Sequence, residues 1–229
     1  MFHREKYKNK TDICSVNFFG HYYFDKIENN PIHTFGLLTP DLLRNFTPND
    51  FNKKLLHQPN NHEIWQIGIS KHFLRDKSFH NSEFFKLTYS ECHDTIRTTF
   101  KKCEIRRFWF ALHVIIEMIL DKVLIQKSNR LLNEFYLELS ESIEYIPALL
   151  LQINHQEVDT FMKRMNRFIE SQYLYKYLEN EGIVYGLNRI FNQVGADKSD
   201  WTQTQFNELT KLVAYIELRV EKNLKLLNS

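Results

Sequence analysis

The sequence is poor in residues that make turns, with six Gly and five Pro among 229 residues. An all-β fold needs these residues at many tight turns, so their scarcity argues against one. Three Cys without C-x-x-C spacing indicate neither a disulfide framework nor a thiolate zinc site. No apolar run approaches the ~18 residues of a membrane-spanning helix, and the N-terminal residues lack a signal-peptide core. We therefore expect a cytoplasmic all-α protein that does not enter the membrane.

Charge of both signs is plentiful and nearly balanced. The chain has 30 Lys and Arg against 28 Asp and Glu, a formal net charge of +2. Because a nucleic-acid interface needs a marked basic excess, we expect no nucleic-acid partner. The basic stretch at residues 101–107 has two interpretations: a solvated helix junction, or a docking site for an acidic partner.

Apolar periodicity and helix-capping residues predict about nine helices and no strand. Thr39 and Pro40 are predicted as the N-cap and first residue of a short second helix, followed by a loop at 48–62. The other predicted helices span about 15–28, 63–77, 83–102, 105–125, 128–141, 157–178, 182–194 and 201–227, with an interruption by Pro147 near 144–151. The last of these is amphipathic, and the mixed charges opposite its apolar face favour a packing helix over a membrane-surface helix.

We expect three parts along the chain. Residues 1–14 form a basic tail, and residues 15–154 form a helical domain that carries the candidate metal-site residues described below. Residues 155–229 form a C-terminal helical extension that packs on the same domain.

The helix predicted over 105–125 is apolar all round, yet three ionisable residues recur in it at a spacing of four: His113, Glu117 and Asp121. Residues at this spacing share one helix face. An isolated carboxylate in an apolar interior costs several kcal/mol, so a bound cation or a facing column of bases is expected. Continued backwards by seven residues, the column reaches Arg106, a candidate phosphate-binding residue. Glu117 is either a metal ligand or a general base.

A second column has the same spacing and consists of His72, Asp76 and His80. Helical bundles build metal sites from facing columns of His and carboxylate residues. Nitrogen and oxygen donors without Cys favour Mn, Fe, Zn or Mg. The alternative for both columns is a structural ion-pair network without a metal.

Four short motifs follow one another in the chain: N-F-F-G-H (17–21), G-L-L-T-P-D (36–41), G-I-S-K-H-F-L-R-D (68–76) and E-M-I-L-D (117–121). In order and spacing they resemble the acyl carrier protein phosphodiesterase family, whose pattern runs N-F-x-x-H, G-N-x-x-x-D, G-I-x-x-H-R-x-I-D-x-F-T-D and D-x-x-x-D-H. The resemblance covers residues 15–126. It implies an HD-like all-α fold and a metal-dependent hydrolase of a phosphoric ester or diester, acting on an acidic carrier protein or a small phosphoester.

By position, the resemblance also implies four metal-site residues: His21, Asp41, His72 and Asp121. Glu117 stands where the family has Asp. Four further positions depart from the pattern: Leu37 replaces Asn, Phe73 replaces Arg, His80 replaces Asp and Lys122 replaces His. His80 and His113 would supply extra imidazole ligands in a variant site. The departures also motivate a second interpretation, a non-catalytic helical interaction or scaffold protein derived from that family. In that case the candidate ligands would not converge, or would converge without an open cavity.

Overall fold

The computed structural model describes residues 17–48, 50, 56, 63–193 and 201–227. The predicted basic tail and most of the predicted loop at 48–62 lie outside these residues. The α-helices are α1 (Phe18–Asp25), α2 (Pro31–Phe46), α3 (Ile64–Asn81), α4 (Glu83–Lys102), α5 (Phe108–Lys127), α6 (Asn129–Ser142), α7 (Ile146–Gln152), α8 (Val158–Ser171), α9 (Asn180–Gln193) and α10 (Gln203–Asn223). Two 3₁₀ helices follow α8 and α10, at Tyr173–Leu178 and Leu224–Leu227.

All regular structure in the described residues is helical, which confirms the predicted all-α class. The HD-like arrangement stays a prediction. In the same residues, no helix is both long enough and apolar enough to cross a membrane.

Helix α2 differs from the prediction at its start. It begins at Pro31, and the side chain of Asn30 caps it by accepting a hydrogen bond from the His33 amide at 3.0 Å. The predicted start at Thr39 is wrong: Pro40 lies inside the helix, where it removes the amide that would donate to the Gly36 carbonyl. Asn30-Pro31 carries the same cap-and-proline signal further upstream, and the helix continues through the second proline.

Helices α2 and α3 cross with their backbones in contact. A Cβ atom on Gly36 would overlap the carbonyl oxygen of Trp65, and one on Gly68 would lie 2.5 Å from the carbonyl oxygen of His33. Only glycine permits so close an approach. The crossing sets the α2 segment after Gly36 directly against the face of α3 that carries His72.

Helix α5 is the central element, and α1, α4, α9 and α10 all pack against it. Its side chains are buried on nearly every face, as its apolar sequence predicts. It begins at Phe108 rather than near residue 105, because the chain turns first. Glu104 and Arg107 both adopt left-handed backbone conformations there, with φ of 55° and 59°.

The C-terminal elements pack on the helices that carry the candidate site. Helix α10 starts with a capping box between Thr202 and Gln205 and lies on α4 and α5. Its apolar face is covered there, so it is a packing helix. Lys122 of α5 donates to Glu217 of α10 at 2.8 Å. The predicted helix over 157–178 is interrupted at Gln172, whose φ is 43°.

Candidate metal centre

Four predicted ligands meet where α1, α2 and α3 come together, and we call them the closed cluster: His21, Asp41, His72 and Asp76. The Nε2 atoms of His21 and His72 lie 3.2 and 3.4 Å from the two carboxylate oxygens of Asp76. Oδ1 of Asp41 lies 3.7 Å from Nε2 of His72 on the other side. The two imidazole rings stack with their centroids 3.9 Å apart. Donor atoms of His21, Asp41 and His72 all lie within 4.8 Å of one another.

The closed cluster is almost entirely shielded from solvent, and several of its potential ligand atoms make no hydrogen bond. His21, Asp41 and His72 are buried, and of the four only Asp76 is partly exposed, at 24% of its side chain. Among the described residues, neither oxygen of Asp41 and neither ring nitrogen of His21 has a hydrogen-bond partner. His21 and Asp76 lie within ion-pair distance of each other, but their facing atoms are not aligned for a hydrogen bond. Since buried polar atoms are almost always paired, these donors call for a ligand.

The tautomer of His72 strengthens this conclusion. Its Nδ1 lies 2.8 Å from the carbonyl oxygen of Leu37, which can only accept, so Nδ1 carries a hydrogen. In the neutral ring the lone pair of Nε2 then faces the carboxylates of Asp41 and Asp76. That arrangement is repulsive unless a positive charge lies between the atoms. A backbone carbonyl bonded to the far ring nitrogen is also the usual support of a metal-binding histidine.

The surroundings shift the pKa values of the two carboxylates of the closed cluster in opposite directions. Burial raises the pKa of Asp41 to about 7, because attraction from His72 only partly offsets the loss of solvation. Burial also pushes the pKa of Asp76 upward, but its contacts with His21 and His72 outweigh that effect and lower it. A divalent cation at this position would favour the ionised form of both groups.

A second group of predicted ligands, which we call the open cluster, lies between α3 and α5: His80, His113 and Glu117. The Nε2 atoms of the two histidines are 2.7 Å apart, and Oε1 of Glu117 lies 3.1 Å from His80 and 2.8 Å from His113. The side chains of His80 and His113 are 32% and 18% exposed, whereas Glu117 is fully buried. Burial raises the pKa of Glu117, but hydrogen bonds from His113 and His80 outweigh it and lower the pKa.

Asp121 does not join either cluster. Its two carboxylate oxygens accept hydrogen bonds from the backbone amides of Gly20 at 2.6 Å and Phe19 at 3.1 Å. These are amides of the first turn of α1, which otherwise lack acceptors. Burial raises the pKa of Asp121 well above its ordinary value. Asp121 therefore acts as a cap that fixes α1, and with it His21, against α5.

Arg106 does not lie on the column of His113 and Glu117, contrary to the prediction. It is exposed in the turn before α5, and the helical spacing on which the prediction relied does not extend before Phe108.

One positive charge near the closed cluster was not predicted. Nη1 of Arg44 lies 3.7 Å from Oδ1 of Asp41, one turn further along α2. The sequence could have indicated this contact, because an acid and a base three residues apart on a helix are neighbours.

Two positions that depart from the family pattern have structural partners. Phe73 packs edge-on against the ring of His72 with centroids 5.5 Å apart. Lys122 is buried against Glu217 and Asn180, so it joins α5 to the C-terminal helices.

A scan against protein-family models found no match, and neither did searches of curated proteins and of solved structures. The resemblance to the acyl carrier protein phosphodiesterase family therefore rests on the four motifs alone.

Proposed function

We propose that the protein is a divalent-metal-dependent hydrolase of phosphoric esters or diesters. The observation that supports this proposal is the closed cluster: buried imidazole and carboxylate groups from three helices converge, and the oxygens of Asp41, the ring nitrogens of His21 and Nε2 of His72 find no hydrogen-bond partner in the described part of the chain. Three of these residues, His21, Asp41 and His72, are among the metal-site residues that the resemblance described above implies.

Three residues of the closed cluster, His21, Asp41 and His72, have donor atoms within 4.8 Å of one another, close enough to share a single ion, and Asp76 contacts both histidines. Ligand atoms bound tetrahedrally at about 2.1 Å from a metal lie roughly 3.4 Å from one another. The contacts of His21 and His72 with Asp76, and of His72 with Asp41, measure 3.2, 3.4 and 3.7 Å. Two imidazoles and two carboxylates form a donor set that suits Zn, Mn or Fe, and it suits Mg less well.

Such an ion would lower the pKa of a bound water and polarise a phosphoryl oxygen. The chain adds charges of its own around this position. Arg44 places a guanidinium 3.7 Å from Asp41, and a guanidinium is a suitable partner for a phosphate group. Glu117 is held ionised by His80 and His113, and both of its proposed roles, ligand and general base, need that form.

The proposed substrates are a small phosphoester or the prosthetic group of an acidic carrier protein. Within the basic stretch at 101–107, Lys102 is already paired with Glu208 of α10 at 2.6 Å. For that residue, the interpretation as a helix junction is favoured over carrier docking.

The direct test is hydrolysis of bis(p-nitrophenyl) phosphate and of holo-acyl carrier protein by purified protein with Mn²⁺, Zn²⁺ or Mg²⁺. His72→Ala should reduce the rate by 100-fold or more, because it removes a donor at the centre of the closed cluster. His93→Ala is the matched control: this histidine lies on α4, pairs with the exposed Asp94 and belongs to neither cluster. Equal rates for His72→Ala and the parent protein, or no metal-dependent hydrolysis of either substrate, would overturn the proposal.

The burial of the closed cluster supports a second candidate function, an interaction protein stabilised by a structural ion. Structural metal sites are closed, whereas catalytic ones keep an open position, and His21 and Asp41 are entirely buried. In this case metal would raise the unfolding temperature while neither substrate was hydrolysed. The same purified protein therefore distinguishes the two functions.

A further inference from the structure

We infer that the open cluster is a second divalent-cation site, separate from the closed cluster and with coordination positions that remain accessible from solvent. The proposed function requires an ion only at the closed cluster. The second site is argued from the three side chains His80, His113 and Glu117 themselves.

With an ionised Glu117, the contacts of the open cluster cannot all be favourable with protons alone. Both Nε2 atoms lie within hydrogen-bond distance of the same oxygen of Glu117 and of each other. If both nitrogens carry hydrogens, the 2.7 Å contact between His80 and His113 has two donors and no acceptor. If one nitrogen is deprotonated, its lone pair faces the carboxylate instead. A cation bound by all three atoms removes the conflict, because each atom then directs a lone pair at positive charge.

The spacing and chemistry of the three atoms fit one face of an octahedral ion. Ligands in neighbouring octahedral positions, bound at about 2.1 Å, lie roughly 3.0 Å apart, and the observed separations are 2.7, 2.8 and 3.1 Å. Two histidines and one carboxylate on a face leave three positions open, as in the facial triads that bind Fe(II). This donor set suits Mn²⁺, Fe²⁺, Co²⁺ or Zn²⁺.

The surrounding residues hold the imidazoles in place. The ring of Phe85 packs edge-on against both His80 and His113, with centroids 5.1 Å away in each case. His80 also forms a hydrogen bond with the backbone of Asp76, one turn earlier on α3. Supports of this kind orient metal-binding histidines. Because the two histidines are 32% and 18% exposed, the open positions face solvent and can take water or an anionic ligand.

The two clusters are neighbours along one face of α3. His72 and Asp76 belong to the closed cluster, and His80 follows at the same spacing of four. The structure thus assigns two ions to α3: a buried one held by α1, α2 and α3, and an exchangeable one held by α3 and α5. We expect brief chelation to remove the exchangeable ion first, because its site is the exposed one.

The test is the Mn²⁺ stoichiometry of the full chain, measured by equilibrium dialysis and elemental analysis. The parent protein should bind two equivalents, and His113→Gln and His72→Gln one each. His93→Gln, on the surface of α4, should bind two. Loading with Co²⁺ gives a second readout: the weak visible absorption of a six-coordinate ion should disappear in His113→Gln and persist in His72→Gln.

Binding of a single equivalent by the parent protein would overturn the second site, and so would two equivalents retained by His113→Gln. The parent stoichiometry decides the matter even if a variant fails to fold. A single equivalent that is lost in His72→Gln but kept in His113→Gln would leave the proposed function standing and remove only this inference. No bound ion in the parent protein would overturn both.

Discussion

Asp41 carries a carboxylate that is fully buried, and neither of its oxygens accepts a hydrogen bond from any residue that the structure describes. The guanidinium of Arg44 and the imidazole of His72 both lie 3.7 Å from Oδ1 of Asp41, too far for a hydrogen bond. Taking an ion out of water costs several kcal/mol even after relaxation. Burial of this carboxylate therefore lowers the free energy of unfolding, and under the proposed function we expect a bound cation to offset that cost.

The variant Asp41→Asn separates the cost of burying the carboxylate from the stabilisation that a bound metal ion would supply. In metal-free buffer, the variant should unfold at the same temperature as the parent or a higher one, because a buried charge has been removed. With Mn²⁺ or Zn²⁺ at about 100 times its Kd, the parent should gain about 2.7 kcal/mol, and the variant should lose most of that gain. Thermal unfolding with and without metal measures both effects. Asp94→Asn, at an exposed carboxylate on α4, should behave as the parent; an equal metal-induced shift in Asp41→Asn would contradict the role of Asp41.

Helices with unambiguous ends were predictable from the sequence. Helix α4 spans Glu83–Lys102 as predicted, because Ser82 is a local signal: its hydroxyl caps the helix by accepting from the Phe85 amide. The start of α2 was not predictable in this way, since Asn30-Pro31 and Thr39-Pro40 carry the same signal. The choice between them depends on the packing of α2 against α3, which a local pattern does not contain.

That packing gives a prediction at the scale of the two helices. Gly36→Ala places a methyl group on the Trp65 carbonyl and forces α2 and α3 apart. We expect a loss of about 2–4 kcal/mol of unfolding free energy. Metal affinity should also fall at least tenfold, because Asp41 and His72 lie on the two separated helices. Urea unfolding and Mn²⁺ titration measure the two effects.

Gly20→Ala is the graded control for this variant. A Cβ atom on Gly20 would lie 3.3 Å from the nearest atom outside its own turn, an oxygen of the Asp121 side chain, so a small shift accommodates it. Its destabilisation should be clearly smaller than that of Gly36→Ala. Destabilisation by Gly36→Ala with unchanged metal affinity would show that the crossing does not position the closed cluster.

For the whole molecule, the sequence predicted which residues stand in columns but not which columns meet. The spacing of four correctly grouped His113 with Glu117, and His72 with Asp76. The spacing could not show that the side chain of His80 contacts His113 of α5 instead of joining His72 and Asp76 in the closed cluster. It also could not separate Asp121, on the same face as Glu117, from the ligands. That separation depends on where the first turn of α1 lies, and the contact joins residues about a hundred positions apart in the chain.

Acid sensitivity of the fold is expected from a histidine remote from both clusters. His155 is buried between Thr47 and Asp50, at 3.1 and 2.9 Å, and joins the end of α2 to the turn before α8. Burial lowers its pKa more than Asp50 and Glu157 raise it. The unfolded chain therefore binds the extra proton first, and stability is lost as pH falls below about 6.5 towards the folded-state pKa.

His155→Gln should remove this contribution. The loss of unfolding free energy between pH 7.5 and 5.5, measured by urea denaturation, should be smaller in the variant than in the parent protein. The difference should reach about 1.4 kcal/mol for each unit by which burial shifts the pKa of His155. His93→Gln, at a partly exposed histidine on α4, should keep the pH dependence of the parent. An unchanged pH dependence in His155→Gln would mean that acid unfolds the protein through other groups, of which the buried His33 is the next to test, since burial lowers its pKa as well.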